Sequence, residues 1–266
     1  MTTGRTAILS PILNVMTAAA EKAARGIIRD FGELEHLQVS KKGLGDFVST
    51  ADRRSESILI EELSRARPDY AFLTEETGSI PGTNPEFCWI IDPLDGTLNF
   101  LHGIPHFAIV LALKKEEEIV ASVTYAPLQD EMYWAEKGKG SFLNQRRLRV
   151  SGRRHLEEAV IGIGTPFGTH GDPATFQKHL DKLMPITAGT RRFGAAALDL
   201  AYVASGRFDA FFEDHLHPWD MAAGILLVKE AGGYVTEMNG GDAMLKSGSV
   251  LAGNEFIHHK LQKLLA

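Results

Sequence analysis

Residues 89–100 read WIIDPLDGTLNF: an apolar strand from Trp89 to Ile91 ends in Asp92 and turns through Pro93, Leu94, Asp95 and Gly96 into Thr97. Two carboxylates three residues apart at a strand end can point into one pocket, with Pro93 stiffening the turn and Gly96 allowing unusual dihedrals or a close backbone approach. The backbone N–H groups that follow can then face an anion. The same residues also fit a plain Pro-Asp-Gly β-turn in which Asp92 is only a local cap. The segments on either side weigh between the two.

Outward from this segment, β-forming runs recur at Ala71 to Leu73, Phe87 to Ile91, Phe107 to Leu113, Ile119 to Tyr125, Glu131 to Trp134 and Ser141 to Val150, which predicts a largely antiparallel sheet. Two helices precede them. Ser10 and Pro11 open an amphipathic pattern that continues to Phe31 before Gly32, and Ser49, Thr50 and Asp52 cap a second one that stops short of Pro68. After about residue 150 the texture alternates. Strands are expected at Ala159 to Ile163, Phe208 to Phe212, Tyr234 to Thr236 and Val250 to Ala252, and helices at Pro173 to Met184, Ala195 to Ala204, Trp219 to Ala231 and Asn254 to Leu265. The reading is an α+β chain in two halves, 1–150 and 151–266.

Two further acidic sites favour the pocket. FLTEET, residues 72–77, puts Glu75 and Glu76 directly after a strand, where adjacent buried carboxylates require counter-charge. Glu75 is the better placed to face inward, and Glu76 fits a solvated loop. WDMAAG, residues 219–224, starts an apolar helix at Asp220, which is either its N-cap or a site residue. Glu75, Asp92, Asp95 and Asp220 with nearby carbonyls form an oxygen-only donor set suited to Mg²⁺ or Mn²⁺. Phosphate-ester hydrolysis is the matching chemistry, because two such ions about 4 Å apart neutralise the phosphoryl oxygens and activate water.

Composition removes other classes. A lone Cys88 offers neither an intrachain disulfide nor a cysteine zinc site, which points to a reducing, cytoplasmic setting. No apolar run approaches the roughly 20 residues of a membrane helix, and the N-terminal stretch reads as no export signal. A net charge of -6 argues against generic duplex DNA binding. GIGTPFG, residues 162–168, lacks the lysine or glycine spacing of a nucleotide loop.

DPLDGT, WDMAAG, the glutamate pair and DFVSTAD at 46–52 together resemble the inositol monophosphatase family of lithium-sensitive, Mg²⁺-dependent phosphatases, over nearly the whole chain. The resemblance implies a layered αβαβα sandwich of the inositol monophosphatase and fructose bisphosphatase type, commonly a homodimer. It implies that Glu75, Asp92 and the Leu94 carbonyl hold one metal and Asp92, Asp95 and Asp220 a second, with Glu75 also near a third. Thr97 would partner the attacking water, oriented by Asp52, and Gly96 and Thr97 would receive the phosphate, with no phosphoenzyme formed. Gly194, Ala195, Ala196 and Glu213 would line the alcohol side along with Asp95 and Asp220, and Lys41 would lie on a loop near the metals. Thr74, Leu98 and Pro218 depart from the usual pattern without removing a ligand, Thr74 bearing on how Glu75 is delivered.

Inositol 1-phosphate is the first expected substrate. Sugar phosphates, histidinol phosphate and adenosine 3′,5′-bisphosphate share the phosphoryl end and stay open. His215 and His217, two apart beside Asp214, either bind zinc or copper or border the substrate pocket near Trp219. Arg146, Arg147, Arg149, Arg153 and Arg154 form a solvated face or a contact for RNA or a transcription complex, which carries a non-catalytic binding role as a different class of function.

Overall fold

A computed structural model describes residues 9–34, 39–43, 46–166 and 171–265, and over 39–43 and 46–48 the backbone alone. Helix α1 (Pro11–Phe31) starts where Ser10 Oγ accepts the Leu13 N–H at 3.3 Å and ends at Gly32. Strands β1 (Val39–Gly43) and β2 (Asp46–Ser49) pair antiparallel. Helix α2 (Thr50–Ala66) then starts on a capping box in which Asp52 Oδ2 accepts the Ser49 N–H at 2.8 Å.

The first sheet is built from β3 (Tyr70–Thr74), β4 (Gly78–Ile80), β5 (Asn84–Asp95), β6 (Ala108–Lys115), β7 (Glu118–Ala126), β8 (Glu131–Glu136), β9 (Gly140–Leu143) and β10 (Arg146–Arg147), with the short helix α3 (Thr97–Leu101) between β5 and β6. Its order is β10-β9-β8-β7-β6-β5-β3-β4, antiparallel throughout except where β3 runs parallel to β5. Alternation splits the side chains between two cores. Trp89, Ile91, Ile109 and Leu111 pack under Leu13, Met16, Ile27 and Leu59 of α1 and α2, while Ile90, Val110 and Tyr133 face the opposite way.

The remaining elements are β11 (Val160–Ile163), α4 (Pro173–Leu183), β12 (Gly189–Arg191), α5 (Ala196–Ala204), β13 (Ala210–Glu213), α6 (Pro218–Glu230), β14 (Tyr234–Thr236), α7 (Met244–Ser247), β15 (Val250–Gly253) and α8 (Glu255–Leu265). The second sheet has the order β12-β11-β13-β15-β14, with β11 parallel to both of its neighbours. Helices α5 and α6 fill the space between the sheets, and they approach closely because residue 224 is glycine: a Cβ there would lie 2.4 Å from Leu200 Cδ1. Helices α4 and α8 cover the other face through Leu183, Ile257 and Leu261. The stack is the expected αβαβα sandwich.

Three local expectations need correction. The chain does not turn at Asp92. Strand β5 continues to Asp95, and Pro93 and Leu94 together stand opposite the single Ile109 of β6. This is a bulge, where a residue without an N–H is tolerated within a sheet. The strand expected from Ser141 to Val150 is broken at Asn144, whose φ of 53° turns β9 into β10. Asp220 is not the N-cap of α6; Pro218 takes the first helical position and Asp220 the third.

Candidate active site

The bulge in β5, the turn after β3 and the starts of α5 and α6 border one cavity of about 590 Å³, lined by Glu75, Asp95, Thr97, Glu213 and Asp220 among others. Each acid is positioned by backbone. Asp92 Oδ1 accepts the Leu94 N–H at 2.9 Å, Asp95 Oδ2 the Ala197 N–H at 2.9 Å and Asp220 Oδ2 the His217 N–H at 2.7 Å. One oxygen of each carboxyl is thereby engaged, leaving the other for a ligand. Asp92 therefore also satisfies a local N–H, as the plain-turn reading required.

Glu75 is the first residue of the turn joining β3 to β4, and its N–H donates to the Ile91 carbonyl at 3.3 Å. Buried Glu56 of α2 holds that turn by accepting the Glu76 N–H at 2.9 Å and the Thr77 hydroxyl. Thr74 is buried and reaches the Gly78 carbonyl at 3.3 Å, so this departure from the family pattern closes the turn that carries Glu75.

Thr97 Oγ1 lies 3.0 Å from Asp52 Oδ1 and 2.9 Å from the Leu94 carbonyl oxygen. The other Asp52 oxygen accepts from the Ser49 N–H and, at 2.5 Å, from the Ser49 hydroxyl. Ser55 donates to the Pro93 carbonyl at 2.9 Å and ties α2 to the bulge. Gly96 adopts φ 88°, and a Cβ there would stand 3.0 Å from the His106 carbonyl oxygen and 3.3 Å from Ala195 Cβ. Both the dihedral and the approach demand glycine. Asn99 fastens the same seam, donating to the carbonyls of His106 at 2.9 Å and Phe193 at 2.8 Å.

The electrostatics are those of acids crowded out of water. Burial, followed by the charges of Glu75, Asp95 and Asp220, pushes the Asp92 carboxyl well above its usual range. Burial pushes Asp95 up to about 7 against the N–H groups at the start of α5, and raises Asp220 with Asp95 adding to it. Backbone N–H groups oppose these shifts, and among the described residues no lysine or arginine does so for any of the three aspartates. An oxygen-only set with mutually repelling charges suits a hard divalent cation in its donor chemistry. Among the described residues no three His, Cys, Asp or Glu side chains are already closed into a metal-holding group.

The far side of the cavity is lined by Gly194, Ala195, Ala196 and Glu213, together with Gly164, Arg192 and Asp199. A Cβ at Gly164 would fall 1.8 Å from Glu213 Cδ, so the Glu213 carboxyl rests directly on that backbone. Burial, then Asp95, pushes Glu213 up to about 8, with Arg192 opposing. Sequence reasoning missed Gly164, Arg192 and Asp199. The available signal for Asp199 was an acid inside the otherwise apolar run Ala195 to Ala204.

His215 and His217 line the same cavity, and the His217 ring stacks on Trp219 with centroids 4.7 Å apart. Lys41 lies on β1 and its side chain is outside the described residues. Much of the arginine cluster is engaged: Arg153 pairs with Asp209 at 3.2 Å, Arg154 lies 4.4 Å over the Phe256 ring and Arg147 5.8 Å over Phe142. All five arginines are nonetheless exposed.

A model of the Inositol monophosphatase family matches residues 8–266. The chain is 55% identical to an inositol-1-monophosphatase of Mesorhizobium japonicum over 96% of each chain. It is 45% identical to a putative Nus factor SuhB of Neisseria meningitidis, over 97% of this chain and 99% of that one. The crystal structure of the extragenic suppressor protein suhB from Bartonella henselae superposes with a TM-score of 0.94 at 52% identity, covering 96% of this chain and 98% of the other.

Proposed function

The chain belongs to the inositol monophosphatase family and is a phosphoric monoester hydrolase, and we propose that inositol 1-phosphate is its substrate and Mg²⁺ its cofactor, with Mn²⁺ as a substitute. The observation that carries this reading is the hydrogen bond between Thr97 and Asp52 at the edge of a cavity also lined by Glu75, Asp95 and Asp220. Glu75, Asp92, the Leu94 carbonyl, Asp95 and Asp220 would hold the cations, and Lys41 would lie near them. When bound, the cations neutralise charge on the phosphoryl oxygens and favour ionisation of water.

The protein's own groups do the rest. Asp52 and the Leu94 carbonyl both accept from Thr97, so its hydroxyl proton is held inside the protein and a lone pair is left toward the cavity. A water that donates to this lone pair keeps its own lone pair free to attack phosphorus as the ester P–O bond breaks, and the proton it loses is balanced by the one the leaving alkoxide takes up, giving alcohol and phosphate. No phosphoenzyme is required. The backbone N–H groups of Gly96 and Thr97, at the start of α3, receive the phosphate, while Gly194, Ala195, Ala196 and Glu213 border the alcohol.

We also read the halves 1–150 and 151–266 as meeting at this cavity, lithium as an inhibitor, the cytoplasm as the location and a homodimer as the assembly. Leu98, Ile104 and Phe193, which are 41%, 47% and 37% exposed and joined through Asn99, support an apolar contact beside the mouth of the cavity. The Neisseria relative's name supports a second reading, contact with a transcription complex, for which exposed Arg146, Arg147, Arg149, Arg153 and Arg154 are the available cations. Phosphate release from inositol 1-phosphate, fructose 1,6-bisphosphate, histidinol phosphate and adenosine 3′,5′-bisphosphate, with Mg²⁺ and with chelator, tests the proposal. A Mg²⁺-dependent preference for inositol 1-phosphate is expected, and a preference for another ester overturns the substrate assignment.

A further inference from the structure

Asp199 sits on α5 between Leu198 and Leu200 and is 1% exposed. Its Oδ1 is sealed from solvent and has no hydrogen-bond partner, yet the residue lines the cavity. A buried polar atom left unpaired costs on the order of 1–3 kcal/mol. Native interiors keep few such atoms, and a functional reason often explains those they do keep. A helix-capping role does not account for this one: the N–H that opens the Asp95 side of α5 is already taken by Asp95 Oδ2. Packing does not either: Leu198 and Leu200 beside it are apolar, and Tyr202, one turn on, feels its charge but has its hydroxyl bonded to Arg207.

Three other side chains define the surroundings. Burial pushes the Asp199 carboxyl well above its usual range, the charge of Glu213 adds to this more than that of Asp95, and Arg192 offsets it. Glu213 feels Arg192 in the same sense. Among the described residues, the wall of the cavity beyond the phosphoryl end therefore sets Asp199, Glu213 and Asp214 against the guanidinium of Arg192.

We propose that Asp199 is a specificity-determining residue, which hydrogen-bonds a hydroxyl of the leaving alcohol other than the one that Glu213 reaches, so that the pair reads a neutral polyhydroxylated leaving group. This rests on the phosphomonoesterase reading above. The chemistry of the wall selects that class. A second anionic group on the alcohol would face Asp199, Glu213 and Asp214 with Arg192 to offset them. An ammonium would meet the Arg192 guanidinium in the same wall. A hydroxyl both donates and accepts, and so fits a carboxyl in either protonation state. A cavity of about 590 Å³ has room for a six-carbon ring with its phosphate.

The test is steady-state kinetics of the full chain with Mg²⁺ on inositol 1-phosphate and on p-nitrophenyl phosphate, which has the same phosphoryl end and no hydroxyls. Wild type is compared with Asp199→Leu and Asp199→Asn. In Asp199→Leu the ratio of kcat/KM for inositol 1-phosphate to that for p-nitrophenyl phosphate should fall about tenfold or more, mostly through KM, since a site built to bond a hydroxyl discriminates through that bond. Asp199→Asn, which keeps one acceptor and adds a donor, should recover most of the ratio. An unchanged ratio in Asp199→Leu, or equal losses on both esters in both variants, overturns the inference by making Asp199 structural. Wild-type turnover of p-nitrophenyl phosphate without preference for inositol 1-phosphate overturns this inference and the assignment of inositol 1-phosphate, and leaves the hydrolase reading standing. Turnover of neither ester overturns the hydrolase reading and this inference with it.

Discussion

Thr97 Oγ1 lies 3.0 Å from the carboxylate of Asp52, a residue forty-five positions earlier in the chain and itself part of the capping box that starts α2. One helix start thus sets both a fold boundary and the direction of a hydroxyl proton. Thr97→Ala should lower kcat by about 10²-fold or more, in the range of a lost acid-base contact. Thr97→Ser should retain most activity. Equal kcat in the alanine variant and wild type, both folded by circular dichroism, would remove Thr97 from the mechanism.

Asp95→Asn should lose most activity while the fold survives. The amide can keep its oxygen on the Ala197 N–H, 2.9 Å away in the wild type, and so preserve the tie between β5 and α5. Its NH₂ then faces the cavity where a carboxylate oxygen had been, which repels a cation instead of binding it. Activity is expected to fall at least 10²-fold at saturating Mg²⁺, with the thermal unfolding midpoint in chelator unchanged or raised, since burial no longer acts on a carboxyl. Near-normal turnover would sink the proposed ligand set.

What could be read from the residues and what could not divide along a physical line. Helices α1 and α2 announce themselves through local chemistry, Ser10 with Pro11 and Ser49 with Asp52, and the structure keeps both caps. Glu75, Asp92, Asp95 and Asp220 stood out because carboxylates beside apolar runs demand compensation, and all four belong to one electrostatic cluster. The bulge at Pro93 and Leu94 left no compositional trace, because a one-residue change of register is decided by the partner strand β6. Gly164 and Asp199 escaped notice for a similar reason: one matters through Glu213, forty-nine residues away, and the other, though an acid in an apolar run, meets the cavity only through the fold. Strands of two or three residues, such as β10 and β12, are too short to show a period.

Gly164→Ala tests whether the Glu213 carboxyl must rest on bare backbone. The added methyl would overlap Glu213 Cδ at 1.8 Å, so the side chain has to swing out of the wall. Overpacking of this kind costs about 1–3 kcal/mol of stability. KM for inositol 1-phosphate should rise severalfold, with a smaller change for p-nitrophenyl phosphate, which has no hydroxyl to lose. Identical KM values in variant and wild type would mean that Glu213 does not touch the alcohol.

Glu213 also makes stability depend on pH. Its carboxyl is pushed up to about 8 in the folded protein from an ordinary value of 4.5, so between those limits the native state binds more protons than the unfolded chain. The stability this confers is fully present below about pH 4.5 and is lost as pH rises through about 8. Glu213→Gln cannot ionise and escapes the loss. Urea unfolding in chelator at pH 5, 6, 7 and 8 should show the variant gaining on wild type with each step, by no more than about 1.4 kcal/mol per pH unit and by less to the extent that water reaches the carboxyl. Asp95, Asp199 and Asp220 each interact with Glu213, so relief of that repulsion in the variant is part of the difference. A difference that stays flat from pH 5 to 8 would mean that Glu213 is already ionised in the folded state, with Arg192 holding it there.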